Sequence, residues 1–253
     1  LEFLGAVTRA AAHVTNGGEL ILKANSNIVA TSVTSGKLTA DTAELIGDLL
    51  VDANGLPIGG ASASVKKITG AVDVQRGGVL SVVEDVVGTI DAGNAGVSLV
   101  NLTGDGNVSG AIGGAAQISK ISVSGDRTFT HAQFGAVGNN GATELNFAAA
   151  DKKVTLQDAG ASLLATNVTL NQNGDHVIEV QTGPGNAQLI SGAINAAGRM
   201  NTAGDGYGLT IKVMGAGAPR TDGNVTNADF KANLDADQAD VVRLRLYGNA
   251  AGS

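Results

Sequence analysis

Between residues 145 and 170 the chain reads Leu145-Asn146-Phe147, then Val154-Thr155-Leu156, then Val168-Thr169-Leu170. Each triplet sets apolar side chains on either side of a polar one, and alternation with period two is the mark of a half-buried strand. Each cluster is too short for a helix. Their centres lie 9 and 14 residues apart (155 − 146 and 169 − 155), a rhythm of short strands joined by tight turns. The pattern extends outward to Val72-Asp73-Val74, Ile121-Ser122-Val123, Leu209-Thr210-Ile211-Lys212-Val213 and Leu244-Arg245-Leu246. Between the clusters stand Asn16-Gly17-Gly18, Asn54-Gly55, Gly77-Gly78, Asn139-Asn140-Gly141, Asn173-Gly174-Asp175 and Asp222-Gly223-Asn224. Gly and Asn adopt positive φ cheaply, so these are turn signals.

Composition decides what kind of core such strands can build. The 253 residues include 37 Gly, 3 Pro, 2 Tyr, no Trp and no Cys, with 43% hydrophobic and 3% aromatic residues. That is enough apolar surface for a packed interior but not for one organised around large rings. An immunoglobulin-type sandwich leans on bulky aromatics at a few positions. A solenoid does not, because each coil buries small aliphatic side chains against the equivalent ones of the next. The Gly residues have no three-residue period, which excludes collagen, and a disulfide scaffold has no thiols to form it. Absence of Cys fits a cytosolic protein, or an exported one that crosses a periplasm unfolded.

Internal similarity agrees with stacking. Gly59 to Ile68 resembles Gly113 to Ile121 at an offset of 54 residues (114 − 60), and Ser109-Gly110-Ala111-Ile112 is echoed by Ser191-Gly192-Ala193-Ile194. No linker divides the chain, so residues 1–253 read as one elongated domain, with 221–253 as a cap or a departure from the repeat. There, Thr226 and Asp229 have capping-box spacing and Phe230 and Leu234 would share a helical face, alongside Val241; a loop or an edge strand fits equally well. Leu1-Glu2-Phe3 and Gly252-Ser253 are of the kind that cloning leaves at the ends of a fragment.

The net charge of −7 and the absence of a Lys/Arg run argue against nucleic acid, which needs a concentrated basic face. Lys66-Lys67, Lys152-Lys153 and Arg243/Arg245 are the densest basic spots, each among apolar or acidic neighbours. No apolar stretch approaches the roughly 18 residues that span a bilayer, so this fragment is not expected to insert into a membrane.

Catalytic and metal-binding patterns are weak. His13, His131 and His176 are far apart and belong to no spaced ligand set. No G-x-S-x-G elbow marks a nucleophile. Paired carboxylates would suit polysaccharide cleavage, but Glu84 and Asp85 are adjacent and, on a strand, would point to opposite faces unless a turn intervenes. Asp175 and Glu179 can share a face, but aromatic platforms for a sugar are limited to Tyr207 and Tyr247. The acids read as solvated groups that keep a long surface soluble. Gly104-Asp105-Gly106-Asn107 and Gly204-Asp205-Gly206 look like calcium nonapeptides without the tandem series, and so read as turns. Gly183-Pro184-Gly185 lacks the Gly-Lys-Ser/Thr of a phosphate loop. The sequons at Asn101, Asn107, Asn167 and Asn224 read as compositional. No catalytic, cofactor-binding or metal residues are expected, and the binding residues stay unassigned.

The segment Val100-Asn101-Leu102-Thr103-Gly104-Asp105-Gly106-Asn107-Val108-Ser109-Gly110-Ala111-Ile112-Gly113-Gly114, with Ile118-Ser119-Lys120-Ile121-Ser122-Val123-Ser124-Gly125, resembles the passenger repeats of bacterial autotransporters. The likeness is to the rickettsial surface-antigen family, including outer membrane protein B, and is best over residues 70 to 200. It implies an all-β, right-handed parallel β-helix, exported through a β-barrel translocator outside this fragment and displayed on the cell surface or secreted. There it would serve as an adhesin or surface layer, a virulence factor contacting host or bacterial surface proteins without enzymatic activity. Two alternatives remain open: a β-helical polysaccharide lyase or hydrolase, and a phage or pilus component, for which an obligate trimer would speak.

Overall fold

A computed structural model describes residues 1–93, 97–114, 116–130, 142–156, 165–172, 174–181, 187–195, 207–214, 228–235 and 241–247. Every strand pairing among them is parallel, and the strands stack as a β-solenoid. Parallel neighbours require a long crossover. Here the remainder of each coil supplies it.

On the first face the inward residues Leu20, Leu38, Ala63, Leu80, Val100, Ile121, Leu145 and Val168 lie over one another in register. Successive members are between 17 (80 − 63) and 25 (63 − 38) residues apart, which is the length of a coil. The 9- and 14-residue steps seen in the sequence together make one such coil, because Asn146 pairs with Thr169 while Thr155 lies on another face, paired with Thr128. On the second face the inward ladder is Leu45, Ile68, Val86, Val108, Phe129 and Leu156. On the third it is Thr31, Leu49, Val72 and Ile90, bridged to Ile112. All of these are buried. Fully burying a side chain of this size contributes about 1.5–3 kcal/mol, and in a ladder each one also seals the coils above and below. Small aliphatics fill the core as composition predicts, widened by Phe129 and Phe147, which are fully buried.

Three sequence expectations change. Of the helix, loop and edge strand left open near the C-terminus, the described residues take the strand: Ala228–Asp235 is paired with Ala187–Asn195, and Val241–Tyr247 with Tyr207–Met214, so they continue the stack instead of departing from it. A spacing of four puts Phe230 and Leu234 on one face of a strand as well as of a helix, so it could not separate the two. The internal repeats are also not rungs of one ladder. Ile112 sits on the third face next to Ile90, on the following coil, whereas Ile194 pairs with Val168 on the first. Likewise Ile68 stacks toward Val86, Val108 and Phe129, not toward Ile121. Composition, not coil phase, made these segments alike.

What Gly110 does share with residues elsewhere is a corner. Gly47, Gly70, Gly88 and Gly110 lie one above another where the second face turns into the third, and the first three have φ of +126°, +152° and +146°. A Cβ on Gly70 would sit 2.2 Å from the carbonyl oxygen of Gly47, and one on Gly88 would sit 2.0 Å from that of Gly70. No side chain fits there without parting two coils. The turn signals at Asn16-Gly17 and Asn54-Gly55 also hold, with φ of 55°, 74°, 49° and 85°. A Gly70→Ala substitution should therefore cost on the order of 2–4 kcal/mol, read as a lowered urea midpoint; an unchanged midpoint would contradict the close approach.

Candidate interaction surface

The outward side chains of a solenoid form columns, and here the columns neutralise themselves. Lys37 lies beside Glu19 at 3.2 Å, Lys67 beside Glu44 at 3.3 Å and Lys120 beside Glu144 at 2.9 Å, each pair being register partners on adjacent coils. Lys66 reaches Glu84 at 3.4 Å. Lys37 holds the Glu19 carboxyl below its ordinary range through a hydrogen bond, aided by Thr39. These pairs fix rung alignment more than they stabilise, since exposed ion pairs are worth little.

Acidic turn residues have a second use. Asp48, Asp73, Asp91, Asp85, Asp105, Asp126 and Asp151 each accept, at Oδ1, a backbone N–H of the next coil: those of Ala71, Gly93, Ala116, Asn107, Asp126, Lys153 and Asp175, over 2.7–2.9 Å. Asn25 does the same for Glu44. At these positions a carboxylate of the preceding coil, not a backbone carbonyl, accepts the N–H, with a charge-assisted bond that joins the two coils. These acids are thus inter-coil clasps, a role the sequence reading of solvated groups did not include. Glu84 and Asp85 do sit in a bend, but they are committed separately, to Lys66 and to the Asn107 N–H. Asp175 and Glu179 share the outer face of Gly174–Gln181, with His176 and Ile178 pointing inward.

Two buried polar side chains escape sequence reasoning. Arg127 is 1% exposed and reaches past the coil below to the one beneath it, where Nη2 donates to the carbonyls of Val82 and Val83 at 3.1 and 2.9 Å and Nη1 donates to that of Glu84. Gly106 makes the passage possible, because a Cβ there would lie 2.9 Å from Nη1. Gly104-Asp105-Gly106 is therefore the gap through which an arginine ties three coils, not a calcium loop. Burial brings the guanidinium down to about 10, opposed by Asp85 and Asp105. His176 is fully buried against the Phe147 ring, centroids 4.8 Å apart. Its Nδ1 accepts the Lys152 N–H at 3.3 Å, so Nε2 carries the proton toward the Gln172 carbonyl at 2.9 Å. Both residues were legible in principle: Arg127 is two positions from Phe129, and His176 two from Ile178, so each shares its neighbour's inward face.

Among the described residues, no group of three or more His, Asp or Glu side chains is arranged to hold a metal ion. His13 is exposed on the first coil, far in sequence and structure from His176 on the later ones. His131, Gly183-Pro184-Gly185, Gly204-Asp205-Gly206 and Asn224 lie outside the described residues.

Among the described residues, a corner loop and a groove offer surface for a partner. The corner loop of residues 52–61 is anchored at its root, where Arg76 Nε donates to Asp52 Oδ1 at 2.9 Å and its Nη2 also meets the Asp52 carboxylate, which lowers the Asp52 carboxyl below its usual range. Its tip leaves Leu56 and Ile58 44% and 58% exposed. The loop is laid on the stack by the Gly59 N–H to the Gly77 carbonyl, and Gly77 in turn donates to Val97, itself exposed. On the third face, a groove of about 570 Å³ runs across the coils. Two outward columns line it: His13, Ser32, Leu50, Asp73 and Asp91, and beside them Ala30, Asp48, Ala71 and Thr89. Small side chains at Ala30, Ser32, Ala71 and Gly93 make it concave.

Comparisons with protein-family models, curated proteins and solved structures find no match to this chain.

Desolvation depresses the His176 imidazole below its ordinary value of 6.5. The folded chain then binds this proton less readily than the unfolded chain. Stability from His176 is complete above about pH 6.5 and falls as pH drops below it, by at most about 1.4 kcal/mol per pH unit for one proton. Melting temperature should fall between pH 7.5 and pH 5, with a shallower slope in His176→Gln; an equal slope in both proteins would contradict the buried neutral imidazole.

Proposed function

We propose that this chain is the passenger of a bacterial cell-surface protein that binds another protein through its side, as an adhesin or surface layer, and is not an enzyme. The observation that carries the reading is the corner loop. A rigid scaffold holding a short loop with apolar tips in solvent is the usual arrangement of a recognition element, and Leu56 and Ile58 stand on a root fixed by Asp52 and Arg76. The charged side chains of the described coils are largely spent on holding one coil to the next, which is what a display scaffold needs and a catalytic cleft does not. A β-solenoid fold is compatible with this role. The likeness of residues 70 to 200 to rickettsial surface-antigen passengers supports the bacterial surface as location and a translocator barrel elsewhere in the protein. A chain with no Cys can stay extended during export and then fold coil upon coil.

Beads coated with the purified chain should be retained on cultured mammalian epithelial cells well above albumin-coated beads, and Leu56→Asp/Ile58→Asp should cut the excess at least threefold without lowering the melting temperature. Retention equal to albumin would refute the proposal.

A further inference from the structure

We propose that His176 is a proton-operated latch between two coils: acidification opens the boundary between Lys153–Leu156 and Gly174–Gln181 and divides the stack there, while the coils before it stay closed. The placement of the ring carries this. His176 is fully buried and both of its nitrogens are committed. Nδ1 accepts the Lys152 N–H of the preceding coil at 3.3 Å, and Nε2 donates to the Gln172 carbonyl of its own coil at 2.9 Å. A second proton has one place to go, Nδ1, and there it turns the acceptor into a donor aimed at another donor. Turning the ring over gains nothing, because an imidazolium carries N–H at both nitrogens. Phe147 packs against the ring, centroids 4.8 Å apart and planes tilted by 34°, so the new charge would also be held against hydrocarbon.

The charged groups around the imidazole leave this conflict in place. Asp151 and Lys152 lie on the preceding coil and Asp175 on its own strand, and Oδ1 of Asp151 is engaged by the Asp175 N–H at 2.8 Å. Asp175 and Glu179 stand on the outer face of their strand, opposite to His176, and Lys153 is the register partner of outward Val177. Glu144, on the strand of Phe147, is paired with Lys120. On the following coil the register neighbours Gly208, Leu209 and Thr210 carry no charge. Burial holds the imidazole below 6.5 against the pull of the Gln172 carbonyl, Asp151 and Asp175, and Lys152 adds to the fall. The clasps at the other corners use oxygens of Asp and Asn. A carboxyl group protonated on one oxygen still accepts at the other, whereas an imidazole protonated at Nδ1 accepts nowhere. In a stack each coil touches only its neighbours, so one weakened boundary lets the coils beyond it separate without unfolding those before it.

Hydrogen exchange of the whole chain, read by mass spectrometry at pH 7.5 and pH 5.0 and corrected for intrinsic rates, tests the latch. Protection of amides in 152–156 and 174–181 should fall at least about fivefold, against a ceiling of about thirtyfold for one proton taken up between pH 6.5 and pH 5. Protection in 38–51 and 62–82 should change by less than about twofold. His176→Gln offers an amide oxygen to the Lys152 N–H and takes up no proton, so its protection should be the same at both pH values. Should that variant not fold, His13→Gln/His131→Gln leaves His176 as the lone imidazole and should retain the whole acid effect. An equal fall in 38–51, no fall in 174–181, an acid effect that persists in folded His176→Gln, or one that is missing from His13→Gln/His131→Gln would overturn the latch. No partner enters these readouts, so their outcome is independent of cell attachment.

Discussion

Each coil of this chain must be the mould of the next. Parallel in-register stacking brings equivalent backbones to about 4.8 Å, so any side chain, corner or charge is repeated against a near-copy of itself. The inward columns therefore carry Leu, Val, Ile and Ala, which nest at that spacing. The corners carry glycine where backbone meets backbone, as at Gly47, Gly70 and Gly88. Outward register partners pair Lys with Glu at Glu19/Lys37, Glu44/Lys67 and Lys120/Glu144, where like charges would push the coils apart.

The same constraint explains the polar interior. At the corners aspartates clasp the following coil from the side. Arg127 ties coils over a longer reach, donating to three consecutive carbonyls two coils away, and His176 joins two coils where the core has widened to admit Phe147. Such groups cost desolvation, which their hydrogen bonds to backbone groups offset. The surface available for recognition is what these demands leave over: a loop at one corner and a groove on one face.

Alternation around residues such as Val100 and Val168 was readable because a half-buried strand has a period of two whatever its partners, and the Asn-Gly turns were readable because positive φ is local. The fold class follows from these with the shortage of aromatics. What could not be read is phase. Coils of 17 to 25 residues wander too much in length for a repeat to be aligned by eye, so Ser109-Gly110-Ala111-Ile112 and Ser191-Gly192-Ala193-Ile194 appear equivalent although they sit on different faces. The C-terminal strands were masked by an arithmetical coincidence, four being both a helical and a strand repeat. The clasping role of the aspartates was invisible because it depends on which N–H lies one coil away, and the groove because it emerges only when Ala30, Leu50 and Ala71 are brought together.

Spin-label distances test the stacking most directly, and a chain without Cys accepts paired labels cleanly. Thr39, Ser64, Ser81, Asn101, Ser122, Asn146 and Thr169 form one outward column. Labels at Thr39 and Ser122 are four rungs apart and labels at Thr39 and Thr169 six, so pulsed dipolar spectroscopy should find backbone separations near 19 and 29 Å, growing by about 5 Å per rung. Separations that do not rise with rung number, such as a Thr39–Thr169 pair no farther apart than Thr39–Ser122, would contradict the stack.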